Sequence, residues 1–185
     1  MHQIIIFGPP GVGKGTQSEL IAGKLNLFHF STGEYLRKEI EEGSEVGLKA
    51  KAIVEKGSLV PDEIMIEIVR RALKGHLNGK DGFILDGFPR TTEQAKALDV
   101  MLEELDFRNV HVVFLKTSDD EIVERLLKRG RVDDTEEIIR KRLKIYLDST
   151  SPILEYYGKN KRVFEVNGLG EIEEINKEIL KLLKN

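Results

Sequence analysis

Ile4-Ile5-Ile6-Phe7-Gly8-Pro9-Pro10-Gly11-Val12-Gly13-Lys14-Gly15-Thr16-Gln17 decides the fold. An apolar run long enough for one strand stops at a glycine-rich turn, and a helix-like stretch then runs to Leu25. Gly8, Gly13 and Lys14 fit the spacing of a phosphate-binding loop: glycine, four residues, glycine, lysine. Glycines admit backbone geometries that a side chain blocks, so successive N–H groups can turn toward phosphate oxygens. The following helix adds its positive end. Gly11, Val12, Gly13, Lys14, Gly15 and Thr16 are therefore candidate nucleotide-binding residues, with Lys14 reaching the outer phosphates and the Thr16 hydroxyl facing a magnesium ion or its water. The usual pattern puts Ser or Thr directly after the lysine; here Gly15 intervenes.

Strand-like and helical patterns alternate outward from this stretch. Strands are predicted over 2–7, 27–30, 82–86, 110–116 and 162–166, and helices over 14–25, 32–42, 45–56, 62–77, 91–105, 119–129, 135–157 and 171–183. Such alternation builds a parallel sheet wrapped by helices. Residues 31–60 hold two helical patterns without a strand and read as an insertion across the mouth of the sheet. The chain has 185 residues, 40% of them hydrophobic, which suits one domain, 1–185. A net charge of −3 argues against a general nucleic-acid binder, and the absence of cysteine excludes disulfides and thiolate metal sites. The N-terminus does not read as a signal peptide and no apolar run approaches a membrane span, so a cytoplasmic protein without membrane or nucleic-acid partners is expected, acting as a monomer.

The second informative stretch is Ile84-Leu85-Asp86-Gly87-Phe88-Pro89-Arg90-Thr91-Thr92-Glu93-Gln94. An acid ending a strand beside a phosphate loop is placed to orient magnesium and its waters, so Asp86 joins Thr16 as a candidate metal residue, acting through water. Gly87 permits a sharp turn, Arg90 can reach phosphate, and Gln94 offers a donor and an acceptor to a base edge. Ser31 or Thr32 can cap a helix, with Arg37 on its next turn; a hydroxyl and a guanidinium there would grip a monophosphate. Ser58, Leu59 and Val60 precede Pro61, and the Leu59-Val60 pair is expected to be exposed beside a planar base. Arg125 and Arg129 share a helix face, Arg131 follows Gly130 in a turn, and Arg142 lies on the next helix. Four arginines around moving phosphates would position groups and neutralise charge. Lys128, Arg140 and Lys141 are expected to be solvated. Gly168 and Gly170, after the last strand, would allow close approach of a flat base.

Taken together, these motifs resemble the adenylate kinases, within the nucleoside monophosphate kinases, over nearly the whole chain. Gly8–Gln17 is similar to that family's own Gly-Lys-Gly-Thr form of the loop, which separates it from most phosphate-loop GTPases. Asp86-Gly87-Phe88-Pro89-Arg90 with Gln94 resembles its most specific motif, and Arg131-Val132-Asp133-Asp134 with Arg142 resembles the segment after the lid. The resemblance implies a P-loop α/β three-layer sandwich with a five-stranded parallel sheet and an AMP-binding insertion at 31–60. It implies direct in-line transfer, ATP + AMP ⇌ 2 ADP, with Mg2+. Lys14, Arg125 and Arg129 would hold ATP, with Gly168 and Gly170 near its base. Thr32, Arg37, Ser58, Leu59, Val60, Gly87, Phe88, Pro89, Arg90, Gln94, Arg131 and Arg142 would receive AMP. Lys14, Arg90, Arg125, Arg129, Arg131 and Arg142 would act on the moving phosphoryl group, and a cis Phe88–Pro89 bond is implied. The lid departs from the family: where short-lid members carry several residues, only Gly130 separates Arg129 from Arg131, leaving a vestige at 129–132. Two other readings remain: a pyrimidine (UMP/CMP) monophosphate kinase, and a nucleotide-binding sensor without turnover.

Overall fold

The structure is a computed structural model and describes residues 2–131, 133–160 and 162–184. Five strands, β1 (His2–Phe7), β2 (Phe28–Ser31), β3 (Gly82–Asp86), β4 (Val110–Lys116) and β5 (Arg162–Asn167), form one parallel sheet in the order β2-β3-β1-β4-β5. The helices are α1 (Lys14–Leu25), α2 (Thr32–Glu42), α3 (Glu45–Glu55), α4 (Asp62–Gly75), α5 (Thr92–Glu104), α6 (Asp119–Arg129), α7 (Glu136–Ile145), α8 (Pro152–Asn160) and α9 (Ile172–Leu182). The unbroken apolar run of β1 reflects burial on both faces. Ile5 and Phe7 join the core under α4, α5 and α8, whereas Ile4 and Ile6 join Ile21 of α1 and Ile175 and Ile179 of α9 on the other side.

Register places the site. Ile6 lies opposite Asp86, Ser31 opposite Asp86, and Phe7 opposite Phe114. The loop after β1, the start of α2 and the turn after β3 therefore leave the sheet at the same edge. The chain goes to β3 on one side of β1 and to β4 on the other, and a crevice opens at such a switch point.

Two departures from the expected elements have a clear local cause. The second strand begins at Phe28 rather than residue 27, because Asn26 adopts a left-handed conformation and the Leu27 amide donates to Ala22 O (2.9 Å) to close α1. The helix expected over 135–157 is interrupted. A π-helical turn spans Tyr146–Thr150, with Ser151 N donating to Tyr146 O five residues back (2.7 Å). Pro152 has no N–H and its ring crowds the carbonyl four residues earlier, so the ladder widens just before it.

Between α6 and α7 the chain makes only a short connection, turned by Gly130 at φ 69°. Ile122 and Leu126 of α6 pack on Ile139 and Leu143 of α7, so the two helices share a small core of their own. Val132, part of the vestige expected at 129–132, lies outside the described residues. Among the described residues no helix is long and apolar enough to cross a membrane.

Candidate active site

A cleft of about 470 Å³ opens at the carboxyl edge of the sheet. Seven cationic side chains line it, Lys14, Arg37, Arg90, Arg125, Arg129, Arg131 and Arg142, against the acids Glu19, Glu34, Asp86 and Asp133. A protein that is acidic overall thus concentrates positive charge in one concavity, the signature of an anion site.

The loop after β1 forms its floor. Gly13 caps α1 at φ 102°, a conformation that only glycine adopts without strain. Gly11, Gly13, Lys14, Gly15 and Thr16 line the cleft. Val12 does not: its side chain is buried in the core and its amide donates to Pro9 O at 3.4 Å. Lys14 Nζ donates to Gly8 O (2.9 Å) and Pro9 O (2.8 Å), which pins the ammonium above the loop. Burial lowers the Lys14 pKa to about 8; Asp86 pulls the other way, while Arg90 and Arg129 add to the lowering.

Asp86, 8% exposed, projects from the end of β3 against the first turn of α1, where a Cβ on Gly15 would sit 3.5 Å from its Oδ2. With the exposed Thr16 hydroxyl it supplies hard oxygen donors facing the phosphate loop. Among the described residues no cluster of three or more His, Cys, Asp or Glu could cage a metal. One carboxylate and one hydroxyl fit Mg2+, which keeps most of its waters and is otherwise held by substrate phosphates.

Four residues after Asp86 stands Arg90, whose Nε donates to Gly87 O (2.8 Å) within a turn that contains a cis Phe88–Pro89 bond. Solvent reaches Arg90 through the open cleft, yet protein crowds it. Burial lowers its pKa, Asp86 opposes, and Arg142 and Arg37 repel it. Thr32 is 2% exposed and its hydroxyl donates to Gly87 O (2.9 Å), so only lone pairs remain for a ligand; Ser31 Oγ, not Thr32, accepts from the third amide of α2. Gln94, Phe88, Pro89, Gly87, Arg37, Ser58, Leu59 and Val60 also line the cleft. Val60 is 5% exposed rather than open to solvent, because it packs into the core with Met65 and Leu36.

Three arginines after the fourth strand, Arg129, Arg131 and Arg142, meet one carboxylate. Asp134, its side chain fully buried, accepts from Arg129 Nε (2.8 Å) and Nη2 (2.7 Å), from Arg131 N (3.2 Å) and from Arg142 Nη1 (3.4 Å). Burial pulls its pKa up, but Arg129, the Arg131 amide and Arg142 outweigh this and hold it below the usual carboxylate value. Arg142 also bonds Asp133. Arg125 Nη1 donates to Gly168 O (3.0 Å).

Gly168 and Gly170 are not brought to the cleft. Gly168 packs on the back of the phosphate loop, where a Cβ would meet Val12 at 2.5 Å, and Gly170 faces open space. Lys141 is exposed, as expected, and it also donates to Lys56 O (2.7 Å) and Ser58 Oγ (2.9 Å), which ties α7 to the segment after α3. Sequence reading missed Thr150, whose hydroxyl donates to Arg90 O (2.9 Å), and the role of Asp62, which bonds Gln94 and Thr91. Pro152 signals a break in the helix, but nothing in the sequence pairs 150 with 90.

A family model described as adenylate kinase matches residues 6–162. Curated adenylate kinases are similar over nearly their full lengths. The protein of Synechococcus sp. (strain RCC307) is 44% identical over 178 residues, 96% of each chain. That of Leptospira biflexa serovar Patoc (strain Patoc 1 / Ames) is 45% identical over 185 residues, covering 98% of this chain and 99% of the relative. That of Chloroherpeton thalassium (strain ATCC 35110 / GB-78) is 42% identical over 212 aligned residues, 98% and 97% of the two chains. An alignment of 212 exceeds the 185 residues here, so that relative carries an insertion this chain lacks.

Proposed function

The chain belongs to the adenylate kinase family, and from that premise we propose how its cleft serves reversible phosphoryl transfer, ATP + AMP ⇌ 2 ADP. The enzyme is a phosphotransferase whose substrates are ATP, AMP and ADP. The observation that carries the assignment of sites is the pair Lys14 and Arg90, which line one cleft with Asp86, each within electrostatic reach of that carboxylate.

The phosphate loop, with Lys14, holds the β and γ phosphates of ATP, and Arg125 and Arg129 flank the nucleotide. Arg37 and Arg90 hold the AMP phosphate, while Gln94, Leu59 and Val60 receive its base. Arg131 and Arg142 neutralise charge on the transferring group. An AMP phosphate oxygen forms the new P–O bond as the bond between the γ phosphorus and the bridging oxygen breaks, leaving ADP on each side. The acceptor is already anionic, so no covalent nucleophile or strong general base is required. Thr16 and Asp86 would hold Mg2+ through water, and the ion would supply neutralisation of phosphate charge. Residues 31–60, the AMP-binding insertion, border the acceptor site, with only the vestige 129–132 in place of a lid. The protein acts as a cytoplasmic monomer.

The test is ADP formation with AMP, UMP, CMP or GMP as acceptor, beside titration with two adenosines joined through phosphates. AMP is expected to be the best acceptor, and one two-headed analogue is expected to fill each chain. Preference for UMP or CMP would reassign the enzyme to pyrimidine monophosphates. Room for a single nucleotide, or no ADP from any acceptor, would overturn the two-site reading.

A further inference from the structure

Gln94 is 2% exposed, yet it lines the cleft and its amide is gripped at both ends. Its Oε1 accepts from Arg90 N (2.8 Å), and its Nε2 donates to Asp62 Oδ1 (2.8 Å). The assignment of oxygen and nitrogen follows from chemistry: a backbone N–H only donates, and a carboxylate only accepts. A flipped amide would set donor against donor and acceptor against acceptor. One N–H on Nε2 and one lone pair on Oε1 are left over.

Asp62 is well anchored for this task. It sits in the first turn of α4, directly after Pro61, and its Oδ2 accepts from Thr91 Oγ1 (2.7 Å). That same Thr91 oxygen caps α5 by accepting from Gln94 N (3.1 Å). The amide plane is therefore fixed from two helices and from the backbone of Arg90.

We propose that Asp62 is a specificity-determining positioning residue, locking the Gln94 amide in the one orientation that meets a 6-aminopurine and not a 6-oxopurine monophosphate. The inference rests on the reading of Gln94 as a contact to the acceptor base. The two purines present opposite patterns on the same edge: a 6-amino donor beside the N1 acceptor in adenine, a 6-oxo acceptor beside the N1–H donor in guanine. An amide that can turn over serves either base; a locked one leaves unpaired polar groups against the wrong base, which is the stronger form of discrimination. Without Asp62 only the Arg90 amide holds Gln94, and a water can replace that single bond.

The experiment compares AMP and GMP as acceptors for the parent, Asp62→Ala and Asp62→Asn. In Asp62→Ala, KM for AMP is expected to rise about tenfold with kcat little changed, and the AMP-to-GMP ratio of kcat/KM to fall by about tenfold or more. Asn keeps an oxygen for Nε2, so Asp62→Asn is expected to hold the ratio within about threefold of the parent. Should Asp62→Ala fail to fold, Asp62→Ser, too short to reach Nε2, takes its place. An unchanged ratio in Asp62→Ala or Asp62→Ser overturns the inference even if Tm falls, since a merely structural anchor lowers stability without altering base preference. A parent that makes ADP with neither nucleotide defeats the proposed function itself, and that outcome is distinct.

Discussion

At Lys14 two demands compete. The ammonium must be crowded by the loop to meet phosphates at close range, and crowding favours the neutral amine. With a value near 8, the free protein loses this charge as pH rises through about 8, whereas bound phosphates restore it. ATP binding is therefore expected to take up a proton between about pH 8 and 10 and to weaken as pH rises there; calorimetry in buffers of different ionisation enthalpy measures both. The same shift works against folding: the unfolded lysine stays protonated to its ordinary 10.5, so the penalty is fully present below 8 and relieved as pH rises from 8 to 10.5. Arg90 makes a different case. Its guanidinium is accessible from the cleft, and among the described residues it hydrogen-bonds the local Gly87 carbonyl. Arg90→Ala should lower the transfer rate by orders of magnitude, about 10³-fold or more, with a near-native thermal transition; a rate within threefold of the parent would remove Arg90 from the site.

Among the elements, α6 and α7 are joined by only a short connection. Four apolar side chains join the two helices, and Asp134 gathers Arg129, Arg131 and Arg142 at their connection. The lowered pKa of Asp134 means that its stabilisation is present above the ordinary carboxylate value and lost as pH falls through the folded value. Asp134→Asn is expected to cost about 2–3 kcal/mol at pH 7 and much less near pH 2, read by urea unfolding at the two pH values. The π-helical turn is a second such device. It brings Thr150 to the Arg90 carbonyl, so Thr150→Val should lower kcat about tenfold, and Thr150→Ser should restore it.

On the scale of the whole molecule, shielding of the phosphates is the open matter that the short connection raises. No flap can be formed from the residues between α6 and α7. On the proposed reading, cover comes from the 31–60 side, which is joined to α7: Lys141 bonds Lys56 O and Ser58 Oγ, and Gly57 lies so close to Ile138 that a Cβ would meet it at 2.9 Å. Water is kept from a transferring phosphoryl group by closure of such segments. ATP hydrolysis without AMP is accordingly expected to be a measurable fraction of the transfer rate, on the order of a per cent, above that of relatives with the longer insertion. A negligible ratio would mean that the insertion alone closes the site.

How far this was legible in the residues themselves depends on range. The sequence by itself determined the five strands, the glycine turn with its lysine, and the acid-then-arginine order after the third strand, because each is written in neighbours: apolar period, turn chemistry and motif spacing act within a few residues. Packing between distant segments decided that Val12 turns inward, that neither Gly168 nor Gly170 lines the cleft, although Gly168 O meets the cleft-lining Arg125, and that Lys141 bonds the segment after α3. The same holds for Asp62 orienting Gln94, Thr150 holding Arg90, and Asp134 collecting three arginines. Those contacts join residues on different elements, or across a turn whose path is set by packing. Whether a polar side chain meets water, a carbonyl or another side chain is a matter of what the fold brings within about 3 Å, which no local pattern encodes.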